Sequence, residues 1–241
     1  MLRLFVPSSQ ATGPRIRITG AELRHLRTLR LARGAELVVF DERGDEHDVR
    51  VERLGARAAE VAVLATRRPV RESALELTLA PALLKGTKMD LVIEKATELG
   101  VRRIVPVASR HAIATAGRTD RWQRIAIAAA KQSGRTQVPT VDAPCSLAEL
   151  VRQPWPGLRL LAWEAERDRS LTTLPTRALA VVVVVGPEGG LTAEEVEDAR
   201  AHGFVTIRLA PRILRAETAA VAAVTLCQHR WGDLSSADGV G

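Results

Sequence analysis

The feature that most constrains the fold of this chain is a run of five valines at residues 181–185, followed directly by Gly186-Pro-Glu-Gly-Gly190. Every residue of the run is apolar and β-branched, and such a run predicts a strand that is buried on both faces. Thr192 and Glu195 follow, three residues apart, in the capping-box pattern that begins a helix. The sequence therefore predicts a buried strand, a glycine-rich loop and a helix in succession.

The alternation of strand and helix recurs throughout the second part of the chain. Buried strands are predicted at residues 75–84, 104–107, 159–163, 179–185 and 205–209, and helices at residues 87–99, 120–133, 192–202 and 216–231. A further capping box is predicted at Thr87 and Asp90, and Gly100 is expected to end that helix. Strands that alternate with helices favour an α/β fold with a mainly parallel sheet.

The first part of the chain is β-rich instead. Short strands are predicted at residues 2–6, 15–19, 36–40, 47–54 and 58–65, with one arginine-rich helix at residues 21–31. Residues 66–73 have the composition of a linker. The expected organisation is therefore a first domain at residues 1–70, a second at residues 73–234 and a disordered tail at residues 235–241.

The charge balance points to a polyanionic partner. The chain has 35 Lys and Arg residues against 28 Asp and Glu residues, a net charge of +7. This composition alone does not separate RNA, DNA and a membrane surface. Aromatic residues make up only 3%, which disfavours binding by extended base stacking.

The sequence also bears on location. The two cysteines, Cys145 and Cys227, lie far apart and form no disulfide framework, which fits a reducing compartment. The N-terminus lacks the apolar core of a signal peptide, and the longest apolar run, residues 179–185, is too short to cross a bilayer. A cytoplasmic protein with no membrane partner is predicted.

The glycine-rich loop is the strongest candidate for a binding site. Ligands of open α/β sheets bind at the carboxyl ends of the strands. Gly189 and Gly190 would let a ligand approach the backbone closely, and the next helix would offer free N–H groups. The alternative is a tight strand-to-helix turn that binds nothing. The loop is neither a P-loop nor a GxGxxG motif. The chain also has no HExxH, its five histidines are scattered, and it has no GxSxG, so neither a metal site nor a serine hydrolase is expected.

A second charged loop follows the predicted strand at residues 205–209. It carries Arg212 and Arg215, and Glu217 and Thr218 begin the next helix. The alternative to a functional role is that Glu217 complements the helix dipole and Thr218 satisfies backbone donors.

Two helices carry basic stripes. Lys85, Lys88 and Lys95 lie on one side of the first, and the second carries Arg121, Arg124, Lys131 and Arg135 opposite an apolar face. Such stripes suit contacts with phosphates, although a solvated surface is the ordinary alternative.

Taken together, the motifs resemble one family. Four segments carry the resemblance: Leu84-Lys-Gly-Thr-Lys-Met-Asp-Leu-Val-Ile-Glu-Lys-Ala-Thr-Glu-Leu-Gly-Val101, Gln132-Ser-Gly-Arg135, Val185-Gly-Pro-Glu-Gly-Gly-Leu191 and Pro211-Arg-Ile-Leu-Arg-Ala-Glu-Thr-Ala219. These segments are similar to motifs of the ribosomal RNA small subunit methyltransferase E family, and they occur in the same order. Arg3-Leu-Phe-Val6 and His25-Leu-Arg-Thr-Leu-Arg30 also fit.

The resemblance implies a particular fold and activity. It implies an N-terminal PUA-like β-barrel that binds RNA and a C-terminal SPOUT methyltransferase domain, which contains a trefoil knot and dimerises. The implied reaction transfers a methyl group from S-adenosylmethionine to N3 of one uridine in 16S rRNA of the small ribosomal subunit. Residue periodicity would not have suggested a knot, since knots are nearly absent from proteins.

The resemblance also assigns residues. The cofactor would be held by Trp163, Glu164, Gly186, Pro187, Glu188, Gly189, Gly190, Leu209, Arg212, Ile213, Leu214 and Thr218. The residues implied to face RNA are Arg24, His25, Arg30, Lys85, Lys88, Arg110, Arg121, Arg124, Lys131 and Arg135.

Two residues are candidates for catalysis. Arg215 is expected to stabilise charge on the uracil carbonyl oxygens. Glu217 would accept the N3 proton or orient Arg215. Arg215 is favoured as the more important group, because a carboxylate at a helix N-terminus is stabilised as the anion.

Two other functions fit part of the sequence. A non-enzymatic RNA-binding or ribosome-assembly factor would explain the charge but not two ligand-type loops. A SPOUT methyltransferase acting on transfer RNA, or on another ribosomal site, differs only in its target.

Overall fold

The structure, a computed structural model, describes residues 2–112 and 118–234, so the predicted tail at residues 235–241 lies outside the described residues. The described chain divides into two compact units. The first holds the residues up to Glu72 together with Ala130–Val138, and the second holds the remainder. The predicted second domain at residues 73–234 thus includes a segment, Ala130–Val138, that packs in the first unit.

The first unit is built on a five-stranded sheet. Its elements are β1 (Arg3–Phe5), β2 (Arg15–Ile18), α1 (Gly20–Thr28), β3 (Glu36–Phe40), β4 (Glu46–Leu54) and β5 (Ala59–Arg67). The strand order is β1-β3-β4-β5-β2; β1 and β3 are parallel and the other pairs antiparallel. Ile16 and Ile18 face the core while Arg15 and Arg17 face solvent, the alternation of a half-buried strand.

Helix α1 is shorter than predicted. It ends at Thr28 rather than at residue 31. Arg30 has a φ of 52°, in the left-handed region, and its N–H donates to the carbonyl of Arg27 at 3.0 Å. This conformation stops the helix although the apolar pattern continues past it.

Buried ion pairs hold the first unit together. Glu72 accepts hydrogen bonds from the Arg135 guanidinium at 2.6 Å and from the backbone N–H groups of Thr136 and Gln137 at 2.9 and 3.1 Å. Burial alone would raise the pKa of Glu72, but these donors outweigh it and hold the pKa below its usual range. Lys131 pairs with Glu22 at 2.8 Å, and both side chains are largely buried.

These pairs correct the sequence prediction for Arg135 and Lys131. Both were expected to face RNA. Arg135 is only 5% exposed, and Lys131 is committed to Glu22. The helix that carries the predicted basic stripe, Thr119–Ser133, continues into the first unit. There the last basic residues of the stripe pair with carboxylates instead of facing solvent.

We expect Arg135→Ala to destabilise the first unit by about 3–5 kcal/mol, since removing one partner leaves a buried carboxylate uncompensated. Arg121→Ala removes an exposed pair with Asp90 and should have a much smaller effect. Urea unfolding followed by circular dichroism measures both. Equal losses in the two variants would show that the pair of Arg135 and Glu72 contributes no more than a surface pair.

The second unit contains the parallel sheet. Its strands are β6 (Glu76–Pro81), β7 (Arg103–Ile104), β8 (Val107–Ala108), β9 (Thr140–Val141), β10 (Cys145–Ser146), β11 (Leu158–Ala162), β12 (Ala180–Val185) and β13 (Val205–Ile207). Its helices are α2 (Lys88–Glu98), α3 (Thr119–Ser133), which ends in the first unit, α4 (Leu147–Val151), α5 (Ala193–Ala201) and α6 (Ala216–Trp231), and Leu171–Thr173 forms a single 3-10 turn.

The order of the main sheet is β13-β11-β12-β6-β7-β9, and every pair in it is parallel. The predicted α/β fold with a mainly parallel sheet is confirmed. The valine run forms β12, which has a neighbour on each side and no residue of the run more than 3% exposed. Within the described residues, no helix is both long and apolar enough to cross a membrane.

Three local predictions have different outcomes. The capping box of Thr192 and Glu195 is confirmed, with both reciprocal hydrogen bonds present. The capping box predicted at Thr87 is wrong: the backbone of Thr87 is helical, with φ −91° and ψ 0°, and its side chain caps nothing.

The predicted strand at residues 104–107 is two short strands in different sheets, because Pro106 between them has no N–H for a ladder.

Candidate functional site

The loops that follow three neighbouring strands of the main sheet line one cavity. Strands β13, β11 and β12 are adjacent and parallel, so their carboxyl ends meet at the same edge. The loops after these strands line a cavity of about 920 Å³. This is the size and position expected of a ligand site in an open α/β sheet.

The glycine-rich loop after β12 forms one wall. Gly190 has a φ of +72°, and a Cβ there would lie 2.8 Å from Glu164 Oε1. A Cβ on Gly189 would lie 3.0 Å from the Cβ of His111, whose Nδ1 is 3.3 Å from the carbonyl oxygen of Gly190. A side chain at position 190 would be strained by this φ, and one at position 189 would require His111 to shift.

The loop after β11 forms the second wall, and Glu166 holds it in place. The carboxylate of Glu166 accepts a hydrogen bond from the Thr206 hydroxyl of β13. It also accepts from the backbone N–H groups of residues 167, 168 and 169 at 3.0, 2.9 and 3.3 Å. The hydrogen bond from Thr206, joined by these N–H groups and opposed by burial, lowers the pKa of Glu166 to about 2.

The same network supports Trp163, which lines the cavity. Arg200 lies over the Trp163 ring, 5.2 Å from its centroid. Its guanidinium donates to Thr206 at 3.0 Å and lies 3.7 Å from Glu166. Strand β13, helix α5 and the loop after β11 are thus joined behind the cavity.

The loop after β13 forms the third wall and mixes apolar with cationic residues. Leu209, Arg212, Ile213, Leu214 and Arg215 all line the cavity. Ile213 is 86% exposed, so its side chain is free to contact a ligand in the cavity.

An ion-pair cluster stands beside this cavity. Lys88, the first residue of α2, donates to Glu188 Oε1 at 2.9 Å and lies 3.6 Å from Glu217 Oε2. The hydrogen bond to Glu188 raises the pKa of Lys88. Burial would raise the pKa of Glu188, but hydrogen bonds, with Lys88 foremost, hold it below its usual range.

Most of the predicted cofactor residues come together in the structure. Eleven of the twelve line the cavity: Trp163, Glu164, Gly186, Pro187, Glu188, Gly189, Gly190, Leu209, Arg212, Ile213 and Leu214. Thr218 does not line it and is exposed on α6. Arg215 lines the cavity, whereas Glu217 lies just beyond the lining residues.

Other lining residues were not assigned to the cofactor by the sequence. They include Ala162, Ala165, Arg167, Arg208 and Ala210. Each lies within a few residues of the end of β11 or β13, so the strand ends would have found them. Glu166 was also missed, and its signal in the sequence is an acidic residue four positions after the end of β11.

The predicted RNA-facing residues divide by environment. In the first unit Arg24, His25 and Arg30 are exposed on or just after α1. In the second unit Lys85, Arg110, Arg121 and Arg124 are exposed, with Arg121 paired to Asp90. Lys88 is part of the ion-pair cluster beside the cavity instead. No group of three or more candidate metal ligands occurs in the part of the chain that the structure describes.

The cavity and its sheet define a class of protein. The family model described as "RNA methyltransferase domain" matches residues 71–228, which include every loop of the cavity. The second unit is therefore an RNA methyltransferase domain.

Curated relatives narrow this class. The chain is 32% identical to the ribosomal RNA small subunit methyltransferase E of Mycobacterium bovis, over 97% of this chain and 94% of that protein. It is 33% identical to that of Synechocystis sp., over 92% of this chain and 75% of that protein. The chain belongs to the ribosomal RNA small subunit methyltransferase E family, and the resemblance predicted from the motifs is confirmed.

Solved structures agree with the family. The Neisseria gonorrhoeae ribosomal RNA small subunit methyltransferase E, bound to S-adenosyl methionine, is 35% identical, with a TM-score of 0.91 over 97% of this chain and 99% of that one. A Legionella pneumophila methyltransferase, solved with the cofactor SAM, is 30% identical, with a TM-score of 0.90 and the same coverage.

We expect Glu166→Gln to destabilise the second unit by about 2–3 kcal/mol at pH 7, the scale set by its lowered pKa. Glu166 titrates near 2 when folded and near 4.5 when unfolded, so its contribution is present above pH 4.5. The contribution is lost as pH falls towards 2, and the gap between wild type and variant should close over that range. Denaturant midpoints measured from pH 7 to pH 3 check this. A gap that does not change with pH would contradict it.

Proposed function

We propose that this protein transfers a methyl group from S-adenosylmethionine to N3 of a specific uridine in 16S rRNA of the small ribosomal subunit. The observation that carries the proposal is the cavity formed by the loops after β11, β12 and β13. Membership of the family supports the cofactor and the ribosomal RNA. The choice of uridine N3 rests on the family resemblance and on the charges beside the cavity.

The residues of the cavity fit S-adenosylmethionine. A cavity of about 920 Å³ is large enough for a nucleoside joined to an amino acid. Leu209, Ile213 and Leu214 offer apolar contacts for an adenine ring. The carboxylates of Glu164 and Glu188 suit a molecule that carries a sulfonium and an ammonium group.

When bound, S-adenosylmethionine supplies an electrophilic methyl group on a sulfonium sulfur. The protein must then hold the uridine in line with that methyl group. As N3 forms its new bond it loses its proton, and charge builds on the flanking carbonyl oxygens. We assign the stabilisation of that charge to Arg215, because it lines the cavity and makes no ion pair with a described residue. Glu217 accepts the proton or orients Arg215.

The proposal extends to the organisation of the protein. The five-stranded sheet of the first unit would belong to a PUA-like β-barrel. The second unit would be a SPOUT domain with a trefoil knot, dimerise with a second copy and act in the cytoplasm. RNA would contact the exposed cations of both units, which are Arg24, His25, Arg30, Lys85, Arg110, Arg121 and Arg124.

We expect Gly190→Ala to weaken S-adenosylmethionine binding at least tenfold, because its Cβ would meet Glu164 and its φ of +72° disfavours alanine. Gly203→Ala is a matched control, with a φ of +81° at the end of α5 and outside the cavity lining. Both should lose about 1 kcal/mol of stability. Calorimetric titration with the cofactor separates them, and equal affinities would argue against a cofactor site at this loop.

We expect Arg215→Ala to lower the single-turnover rate of methyl transfer by about 10²–10³ at saturating small subunits and cofactor. Arg215→Lys should keep part of the rate because it retains the positive charge. Near-normal turnover by Arg215→Ala would show that this residue does not stabilise the reacting base.

The reaction itself is tested with isotope-labelled S-adenosylmethionine. Unmodified small subunits are the substrate, with large subunits and transfer RNA as controls. We expect label as N3-methyluridine in 16S rRNA, located by digestion and mass spectrometry. Label elsewhere would overturn the target. No label together with no cofactor binding would favour an RNA-binding assembly factor.

A further inference from the structure

The carboxylate of Glu217 lies in an incomplete polar environment at the start of α6. Its Oε2 is buried and accepts no hydrogen bond from a described residue. Among the described residues, the cation that pairs with it is Lys88, whose Nζ lies 3.6 Å away and donates a hydrogen bond to Glu188 at 2.9 Å. Leaving a charged acceptor without hydrogen bonds is unfavourable, so a ligand that donates an N–H to this carboxylate would gain by it.

The neighbouring groups define what that ligand presents. Lys88 lies beside the carboxylate at 3.6 Å, and Arg215 and Ala216, which directly precede Glu217, both line the cavity. The guanidinium of Arg215 is a donor without an ion-pair partner among the described residues. Arg215 is the N-cap of α6 and Glu217 lies in its first turn, so a cationic donor and an anionic acceptor both belong to the helix start that borders the cavity.

This arrangement matches one pyrimidine and not the other. Uracil presents an N–H at N3 with a carbonyl oxygen on either side. Cytosine presents an unprotonated N3, so its lone pair would face the carboxylate. A site that hydrogen-bonds a substrate N–H rejects an analogue that lacks it, since the polar group of the site is then left unpaired.

We propose that Glu217 makes the enzyme select uracil over cytosine by accepting a hydrogen bond from N3–H, and that Lys88 is the positioning residue that holds this carboxylate in place. The proposal rests on the proposed function, because it takes uridine N3 as the reacting atom. It differs from general-base catalysis, since it concerns which base binds productively.

The test compares small subunits reconstituted with uridine or cytidine at the labelled position. For Glu217→Gln we expect the ratio of kcat/KM for uridine over cytidine to fall at least thirtyfold. The side-chain amide has nearly the same shape as the carboxylate but can donate a hydrogen bond to cytosine N3. Formation of 3-methylcytidine by this variant is therefore a gain that a merely structural role would not produce.

Variants of Lys88 test the positioning role. Lys88→Met should lower the same ratio, and Lys88→Arg should restore it because it supplies a cation to Glu217. Lys95→Met is the matched control on α2, since Lys95 pairs with Glu94 and Glu98 on its own helix. This control should leave the ratio within twofold of wild type.

If Glu217→Gln transfers no methyl group to either base, a binding assay tests the proposal instead. With S-adenosylhomocysteine bound, competition between uridine and cytidine subunits gives the same ratio without chemistry. A ratio unchanged in both assays, while the wild type makes N3-methyluridine, would overturn this inference alone. A wild type that labels another atom would overturn the proposed function first, before any variant is compared.

Discussion

The structure of the second unit depends on the parallel pairing of β12 with β11 on one side and β6 on the other. Burying five valines on both faces of one strand is possible only if helices cover both faces of the sheet. Once β12 is fixed in the middle, parallel pairing sends the ends of β11, β12 and β13 to one edge. The cavity is therefore a result of strand direction, and loop sequences determine only what it binds.

The loops are held by polar contacts that act across the sheet rather than along the chain. Glu166 follows β11 but is bound by Thr206 of β13, and Arg200 of α5 reaches both the same threonine and the ring of Trp163. A wall of the cavity is thus positioned by elements distant in sequence. This supplies the rigidity that a methyl-transfer site needs, because small displacements of the reacting groups slow the reaction strongly.

Local patterns predicted most of the elements, and contacts distant in sequence account for what they missed. The valine run, the box at Thr192 and helix α6 follow from residue types near one another. The burial of Arg135 does not follow from local residue types, because its partner Glu72 lies 63 residues earlier and the periodicity of the sequence gives no sign of that contact. Glu166 and the cluster around Lys88 were missed for the same reason. Eleven of the twelve predicted cofactor residues lie together because each wall of the cavity is a single loop after a strand.

The pairing of Glu72 with Arg135 has a consequence for the order of assembly during synthesis. The first unit takes its last charged partners from Ala130–Val138, so the nascent N-terminal segment emerges from the ribosome with an acidic residue whose counter-ion is not yet translated. Arg135 is synthesised 63 residues later, after β6, α2, β7 and β8 of the second unit. The first unit can therefore complete its contacts only after part of the second unit has been synthesised.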